Sequence, residues 1–343
     1  MSMLEGQKIA VIVPAYRVRA FIPPVLAAIG PEVDAIYVVD DGCPEHTGRW
    51  VETECRDPRV RVIYHDVNQG VGGAVITGMQ RAVAEGADVL VKIDGDGQHS
   101  PMYLPAFVSP ILRGEADATK GNRFYRLEDL QEMPWVRIVG NAILSFMAKI
   151  STGYLHIFDP TNGYLALHAL LFKELPADKL SKRFFFESDL LFRLYTLRAK
   201  IIEIPMPAVY GGIASNLQPA RQILPFFFRH FVNTFKRIFY SYFLRNFSLA
   251  SVYLILGAVF TCFGGILGLG TWWWYFHSEA GAPIGSVMLP ALMIIIGVQT
   301  LLGFLAADVA SVPNEVIYPR LAYTSLARKT PQVARNAGGE EGC

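Results

Sequence analysis

The chain has 343 residues, with 31 Lys and Arg against 30 Asp and Glu, giving a formal net charge of +1. That balance gives no electrostatic reason to bind nucleic acid, and four cysteines (Cys43, Cys55, Cys262, Cys343) without a C-x-x-C pair argue against a disulfide framework or a zinc site. Hydrophobic content of 52% and a mean hydropathy of +0.30 are high for a soluble chain, and the excess lies after about residue 223, so a soluble head followed by a membrane tail is expected.

The first residues carry no basic patch followed by an apolar core, so no signal peptide is expected and the head should stay on the side where it is made. Strand-like apolar runs then cover residues 9–13, 35–39, 60–64, 89–93 and 201–204. Helical patterns fall between them at 22–29, 47–56, 73–85 and 103–112. This alternation predicts an α/β fold with a mostly parallel sheet covered on both faces. Ligands of such sheets bind beyond the carboxyl ends of the strands. Polar clusters stand at those ends: Pro14-Ala15-Tyr16, Asp40-Asp41-Gly42, Asn68-Gln69-Gly70 and Asp94-Gly95-Asp96.

In Lys92-Ile93-Asp94-Gly95-Asp96-Gly97-Gln98-His99 an apolar strand ends in two carboxylates. Both can approach one divalent ion that bridges a diphosphate, and hard oxygen ligands favour Mg²⁺ or Mn²⁺. Gln98 offers a neutral oxygen beside them, and His99 reads as a solvated loop histidine. A carboxylate such as Asp40 can accept hydrogen bonds from ribose or base, and Tyr16 can pack on a base. Asn68-Gln69-Gly70-Val71-Gly72-Gly73 fails the dinucleotide fingerprint because Val75 stands where glycine is needed, and reads as a close-packed helix start. Arg123 is a candidate clamp for phosphate oxygens; Arg137 and Asn141 share a helix face by spacing. Asp159-Pro160-Thr161-Asn162-Gly163-Tyr164 and Phe184-Phe185-Phe186-Glu187-Ser188-Asp189 suggest a partly buried acidic site.

Residues 246–276 and 280–307 contain no charged side chain, and each run exceeds the ~20 residues that cross a bilayer. Two spans are expected, roughly 248–270 and 285–307, with Trp272, Trp273 and Trp274 as an interfacial belt. A pair of buried core helices is the alternative. Arg229, Lys236, Arg237 and Arg245 precede the first span, and Arg320, Arg328, Lys329 and Arg335 follow the second. The connecting loop has neither Lys nor Arg, which places the head and both termini in the cytoplasm. Residues 218–245 mix aromatics and cations without acids, as a helix in an anionic headgroup layer would. Pro219 and Pro225 predict at least one break there, hence two short helices. The last ~20 residues read as disordered.

Together these motifs resemble family 2 glycosyltransferases of the GT-A fold, a Rossmann-like, mostly parallel architecture. Within them the chain is similar to the polyprenyl-phosphate glycosyltransferases. The resemblance runs over roughly residues 8 to 205 on Val11-Ile12-Val13-Pro14-Ala15-Tyr16, Val38-Val39-Asp40-Asp41-Gly42, Asn68 to Ala74, Lys92 to His99 and Gly121-Asn122-Arg123. It implies a GT-A domain over residues 1–217, juxtamembrane helices over 218–246, two spans over 247–309 and a cytoplasmic tail over 310–343 in an inner membrane protein. It implies a nucleotide-sugar donor (UDP- or GDP-linked), a polyprenyl phosphate acceptor, Mg²⁺ or Mn²⁺, and no nucleic acid partner; a homo-oligomer is left open. Asp94, Asp96 and Gln98 would hold the metal. Asp40 and Tyr16 would contact the nucleoside, with Pro14, Ala15, Asp41 and Lys92 in the donor site. Arg123 and Arg137 would meet phosphate oxygens, and Asp159 and Glu187 would line the sugar and acceptor pocket. Two departures stand out: Arg17-Val18-Arg19 follows Tyr16 where the family has Asn-Glu-Glu, and Tyr210 replaces an arginine before the spans. A processive polysaccharide synthase, a sugar nucleotidyltransferase and a non-catalytic membrane scaffold are the rival readings.

Overall fold

The computed structural model describes residues 6–125, 135–207, 219–278 and 281–329. The chain divides into two compact units: Met1–Asn233 together with Pro313–Cys343, and Thr234–Val312.

The first unit is built on a seven-stranded sheet of β1 (Ile9–Ala15), β2 (Ala35–Asp40), β3 (Val60–Tyr64), β4 (Val89–Lys92), β5 (Ala118–Asn122), β6 (Leu165–His168) and β7 (Ile201–Pro205), in the order β3-β2-β1-β4-β6-β5-β7. All neighbours are parallel except β6, which runs antiparallel to β4 and β5. β1, β2 and β4 are buried on both faces, which is why they read as continuous apolar runs. Helices α1 (Ile22–Ala27), α2 (Thr47–Glu54), α3 (Val71–Ala84), α4 (Leu104–Leu112), α5 (Trp135–Thr152), α6 (Ala169–Glu174) and α7 (Phe186–Leu197) are distributed among the strands. The start of α3 is close-packed as expected: a Cβ on Gly72 would lie 2.4 Å from the Ser181 carbonyl oxygen. The sheet's winding reverses between β1 and β4, and this switch point is where a ligand crevice is expected.

Two strands were not anticipated. β5 reads Ala-Thr-Lys-Gly-Asn, too polar for a core strand, yet all five residues are buried. β6 is only four residues long. The proline argument also fails: α8 (Pro219–Phe239) is one continuous helix with Pro225 inside it. Pro225 removes one backbone hydrogen bond, but the helix is held by packing. Phe226 and His230 meet the Phe185 ring edge-on at 5.6 and 4.8 Å, and His230 Nδ1 lies 2.7 Å from Ser151 Oγ. Phe227, Phe228, Phe231 and Phe235 are left exposed.

The segment that follows the second unit belongs to the first. The backbone N–H groups of Ile317 and Tyr318 donate to the fully buried Asp117 carboxylate at 2.8 to 3.0 Å, as does that of Lys200 at 2.8 Å. The Tyr318 ring stacks on His168 at 4.0 Å, and its hydroxyl donates to the Ile111 carbonyl. Helix α11 (Tyr318–Lys329) begins there. Only its last turns, residues 324–329, fall in the stretch expected to be disordered, and they are helical.

The second unit is an antiparallel pair, α9 (Leu249–Phe276) and α10 (Ile284–Ala310), preceded by a π-helical turn at Tyr240–Arg245. At 1.5 Å per residue each is about 40 Å long, enough to cross a ~30 Å hydrocarbon core. Their most apolar 18-residue stretches are only 11% and 17% buried, so most of their apolar surface is left uncovered within this chain. At one end Arg237 donates both terminal nitrogens to Asp308 at 2.6 and 2.8 Å, and the Tyr242 hydroxyl donates to the same carboxylate at 2.7 Å.

Candidate active site

The acidic strand end lies at the switch point. Lys92 and Asp94, two apart at the end of β4, project to the same side, as the strand's period of two requires. Lys92 Nζ reaches Asp94 Oδ1 at 2.8 Å, Glu187 Oε1 at 3.1 Å and the Gly163 carbonyl at 3.1 Å. Burial alone would lower the pKa of Lys92, but Asp94 and Glu187 outweigh it and hold the ammonium above its ordinary value. Asp94 is held below the usual carboxylate range: burial opposes this, and Lys92 overcomes it. The corner admits no side chain at 163, since a Cβ there would lie 2.2 Å from Asp94 Oδ2 and 2.7 Å from Lys92 Nζ. His99 is buried, contrary to the solvated reading. Its Nδ1 accepts from the Asp94 backbone N–H at 3.3 Å, and its ring lies 5.4 Å from that of Tyr164. Burial brings its pKa down to about 4, so the ring is neutral and Nδ1 is free of a proton.

The second cluster sits at the carboxyl end of β5. Arg123 grips the fully buried Asp159 through Nε at 2.7 Å and Nη2 at 3.0 Å. That pairing, against the pull of burial, keeps Asp159 below the usual range. Asn162 Nδ2 adds a contact at 3.3 Å, and Glu203 on β7 accepts from the Phe158 and Asp159 N–H groups and from Asn122 Nδ2. Lys120 Nζ donates to the Asn162 carbonyl, and burial lowers its pKa to about 8 although Glu187 and Asp159 pull it up. Consecutive carbonyls, those of Asn162 and Gly163, thus receive two buried lysines from β5 and β4. The loop before β6 is stapled from both sides, and it carries Asp159 into place.

On the other side of the switch point Asp40 and Asp41 are buried and engaged. Asp40 accepts from the N–H groups of Cys43 at 2.7 Å and Gly48 at 2.6 Å. Asp41 accepts from Gln69 and Gly70 and lies 2.7 Å from His65 Nδ1. Both act in the structure by shaping the loops that follow β2 and β3. Pro14 and Ala15 pair with Val39 and Asp40, and Tyr16 stands half-exposed beyond them. Arg137 and Asn141 fall on α5, but their side chains, like Tyr210, lie outside the described residues. Sequence reasoning gives no role to Lys120 and Glu203 and takes Asn162 only as part of its motif; the available signal for the first two is a charged residue inside each of two strands.

Asp96 differs from Asp94. It accepts the Gln98 backbone N–H at 3.0 Å and is paired with no cation among the described residues. Burial first, and then the Asp94 charge, raises its pKa. A half-buried carboxylate with no cation partner among the described residues is a candidate ligand for a bound cation. No cluster of three His, Cys, Asp or Glu side chains suited to a metal exists among the described residues. The donor set therefore fits a Mg²⁺- or Mn²⁺-type ion only where one or two carboxylates share it with substrate phosphates and water.

A mostly parallel sheet of this order, with an acidic Asp-x-Asp turn at its switch point, has the architecture of the GT-A fold. Residues 10–175 match the model of the glycosyl transferase family 2, and the chain belongs to that family. It is 32% identical over 207 residues to the undecaprenyl-phosphate mannosyltransferase of Micrococcus luteus, covering 59% of this chain and 84% of that one. It is 31% identical over 221 residues to the UDP-N-acetylglucosamine–dolichyl-phosphate N-acetylglucosaminyltransferase of Methanococcus voltae (60% and 88%). The polyprenol monophosphomannose synthase of Mycolicibacterium smegmatis matches at 30% (58% and 77%). Among solved structures, glucosyl-3-phosphoglycerate synthase from Mycobacterium tuberculosis, in complex with Mn²⁺, UDP and glucosyl-3-phosphoglycerate, shares the fold with a TM-score of 0.51 at 22% identity, over 69% of this chain and 81% of that one. The protein is a glycosyltransferase.

Proposed function

We propose that the enzyme transfers a sugar from a nucleoside-diphosphate donor to a polyprenyl phosphate at the cytoplasmic face of a membrane, with inversion and with a divalent ion. The observation that carries this reading is Asp96, a half-buried carboxylate at the switch point with no cation partner among the described residues, in a chain that also holds two largely uncovered apolar helices. The names of the relatives, which act on lipid-linked phosphates, support the acceptor.

When bound, the ion neutralises charge on the leaving diphosphate. Asp96, with Asp94 and Gln98 from the same turn, would hold that ion. Lys92 fixes Asp94 and Glu187 as oriented anions. Asp159 locks the Arg123 guanidinium in one plane, and Arg123 meets phosphate oxygens. A phosphomonoester with a second pKa of about 6 is already mostly dianionic at neutral pH, so its attack needs no strong general base. That agrees with the roles of Glu187 and Asp159, whose carboxylates are committed to Lys92 and Arg123.

Two bilayer crossings return the chain to the side it started from, and the Lys and Arg distribution supports taking that side as the cytoplasm.

The test uses membranes containing the full chain, a panel of labelled UDP- and GDP-sugars, and undecaprenyl phosphate. Label should enter the lipid fraction in a Mg²⁺- or Mn²⁺-dependent way, and Asp96→Asn should lower this at least about hundredfold while the protein stays folded. Retained activity in that variant would reject the metal role, and label in a growing polysaccharide would favour a processive synthase.

A further inference from the structure

Three non-glycine residues adopt positive φ: Arg17 (56°), His46 (50°) and Arg198 (68°). Arg198 caps the end of α7, an ordinary place for a left-handed residue. Arg17 and His46 instead lie in the loops that follow β1 and β2, beside the switch point of the sheet. A left-handed arginine is strained by its Cβ, and strain of this kind persists only where surrounding contacts enforce it.

The enforcing contacts of Arg17 can be followed atom by atom. Its backbone N–H donates to Cys43 Sγ at 3.1 Å. Cys43 is held in turn by its own N–H on Asp40 Oδ1 at 2.7 Å and by Thr47 Oγ1, 3.2 Å from the sulfur. The buried Asp40 therefore fixes Cys43, and Cys43 fixes Arg17. The Arg17 side chain is exposed, forms no ion pair among the described residues, and carries its guanidinium 5.4 Å from the Tyr16 ring centre. The acidic turn is adjacent: a Cβ on Gly95 would lie 3.3 Å from both the Pro14 carbonyl oxygen and Val18 Cγ2.

We propose that Arg17 is a donor-binding residue, held in a strained backbone so that its guanidinium, flanked by Tyr16, meets acceptor oxygens of a nucleoside diphosphate lying across the switch point. The proposal rests on the nucleotide-sugar reading above. It gives Asp40 a positioning role: its carboxylate acts on the nucleotide through Cys43 and Arg17.

The experiment compares wild type, Arg17→Gly and Arg17→Gln as full chains in detergent, titrated with UDP, GDP and inorganic pyrophosphate in the presence of Mg²⁺. Thermal midpoints are recorded alongside. Glycine relieves the strain, so Arg17→Gly should raise the midpoint and yet weaken nucleotide binding by about tenfold. Arg17→Gln keeps the Cβ, so it should weaken binding without the gain in midpoint. A loss shared by pyrophosphate assigns the contact to the diphosphate, and a loss confined to the nucleotides assigns it to the nucleoside; either supports the proposal. Unchanged dissociation constants in both variants would overturn it while leaving the donor reading intact. A wild type that binds no nucleoside diphosphate would overturn both.

Discussion

Lys92 shows how a single buried cation organises this site. It is 1% exposed, and its ammonium is shared between the carboxylates of Asp94 and Glu187. Replacing it with methionine keeps the length and leaves two acids facing each other without a cation. Lys92→Met should cost about 3 kcal/mol, measured by urea unfolding of the full chain in detergent, and Glu187→Gln in the same chain should recover part of it. Much of this corner was legible in the sequence: the Asp-x-Asp turn, Glu187 and Asp159 were all picked out. The commitment of Asp94 to a lysine two residues before it was not, although the i, i+2 spacing on a strand puts both on one face. His99 was misjudged because an Asp- and Gly-rich turn usually faces water, whereas here the turn folds back over Tyr164.

Elements that are apolar on both faces announce themselves, and β1, β2 and β4 did. β5 hid because its polar side chains, Lys120 and Asn122, are satisfied by the Asn162 carbonyl and Glu203, partners that sequence order places 42 and 81 positions away. α8 hid its continuity because proline propensity is weaker than the packing of Phe226 and His230 on the head. The helix and strand ends also set the head's response to pH. His230 on α8 and His168 at the start of α6 are both brought down by burial to about 4. An unfolded histidine titrates near 6.5, so between about 6.5 and 4 the unfolded chain binds more protons and stability falls as pH falls. Asp96, Asp117 and Glu203, raised by burial, act in the opposite sense at the acidic end of this range. Thermal midpoints at pH 7.5 and 5 should therefore drop for the wild type, and drop less for His168→Gln and His230→Gln.

For the whole molecule the order of segments matters more than any single contact. A head that is interrupted by a hairpin of two apolar helices and then resumed constrains topology. Single cysteines placed at Ser278 and at Glu315, in a chain cleared of other reactive thiols, should label from opposite sides of sealed vesicles, with Glu315 on the side of the head. Labelling of both positions by an impermeant reagent from one side would contradict the hairpin. The clasp of Ile317 and Tyr318 on Asp117 has a practical consequence as well. A fragment cut before the first apolar helix, the obvious route to a water-soluble catalytic domain, would lack part of that domain. Asp117 would keep the Lys200 N–H but lose two of its three donors, and the face of His168 covered by Tyr318 would open to solvent. A soluble version would need residues 313–329 grafted back after Asn233 through a short linker, turning a membrane-interrupted fold into a contiguous one.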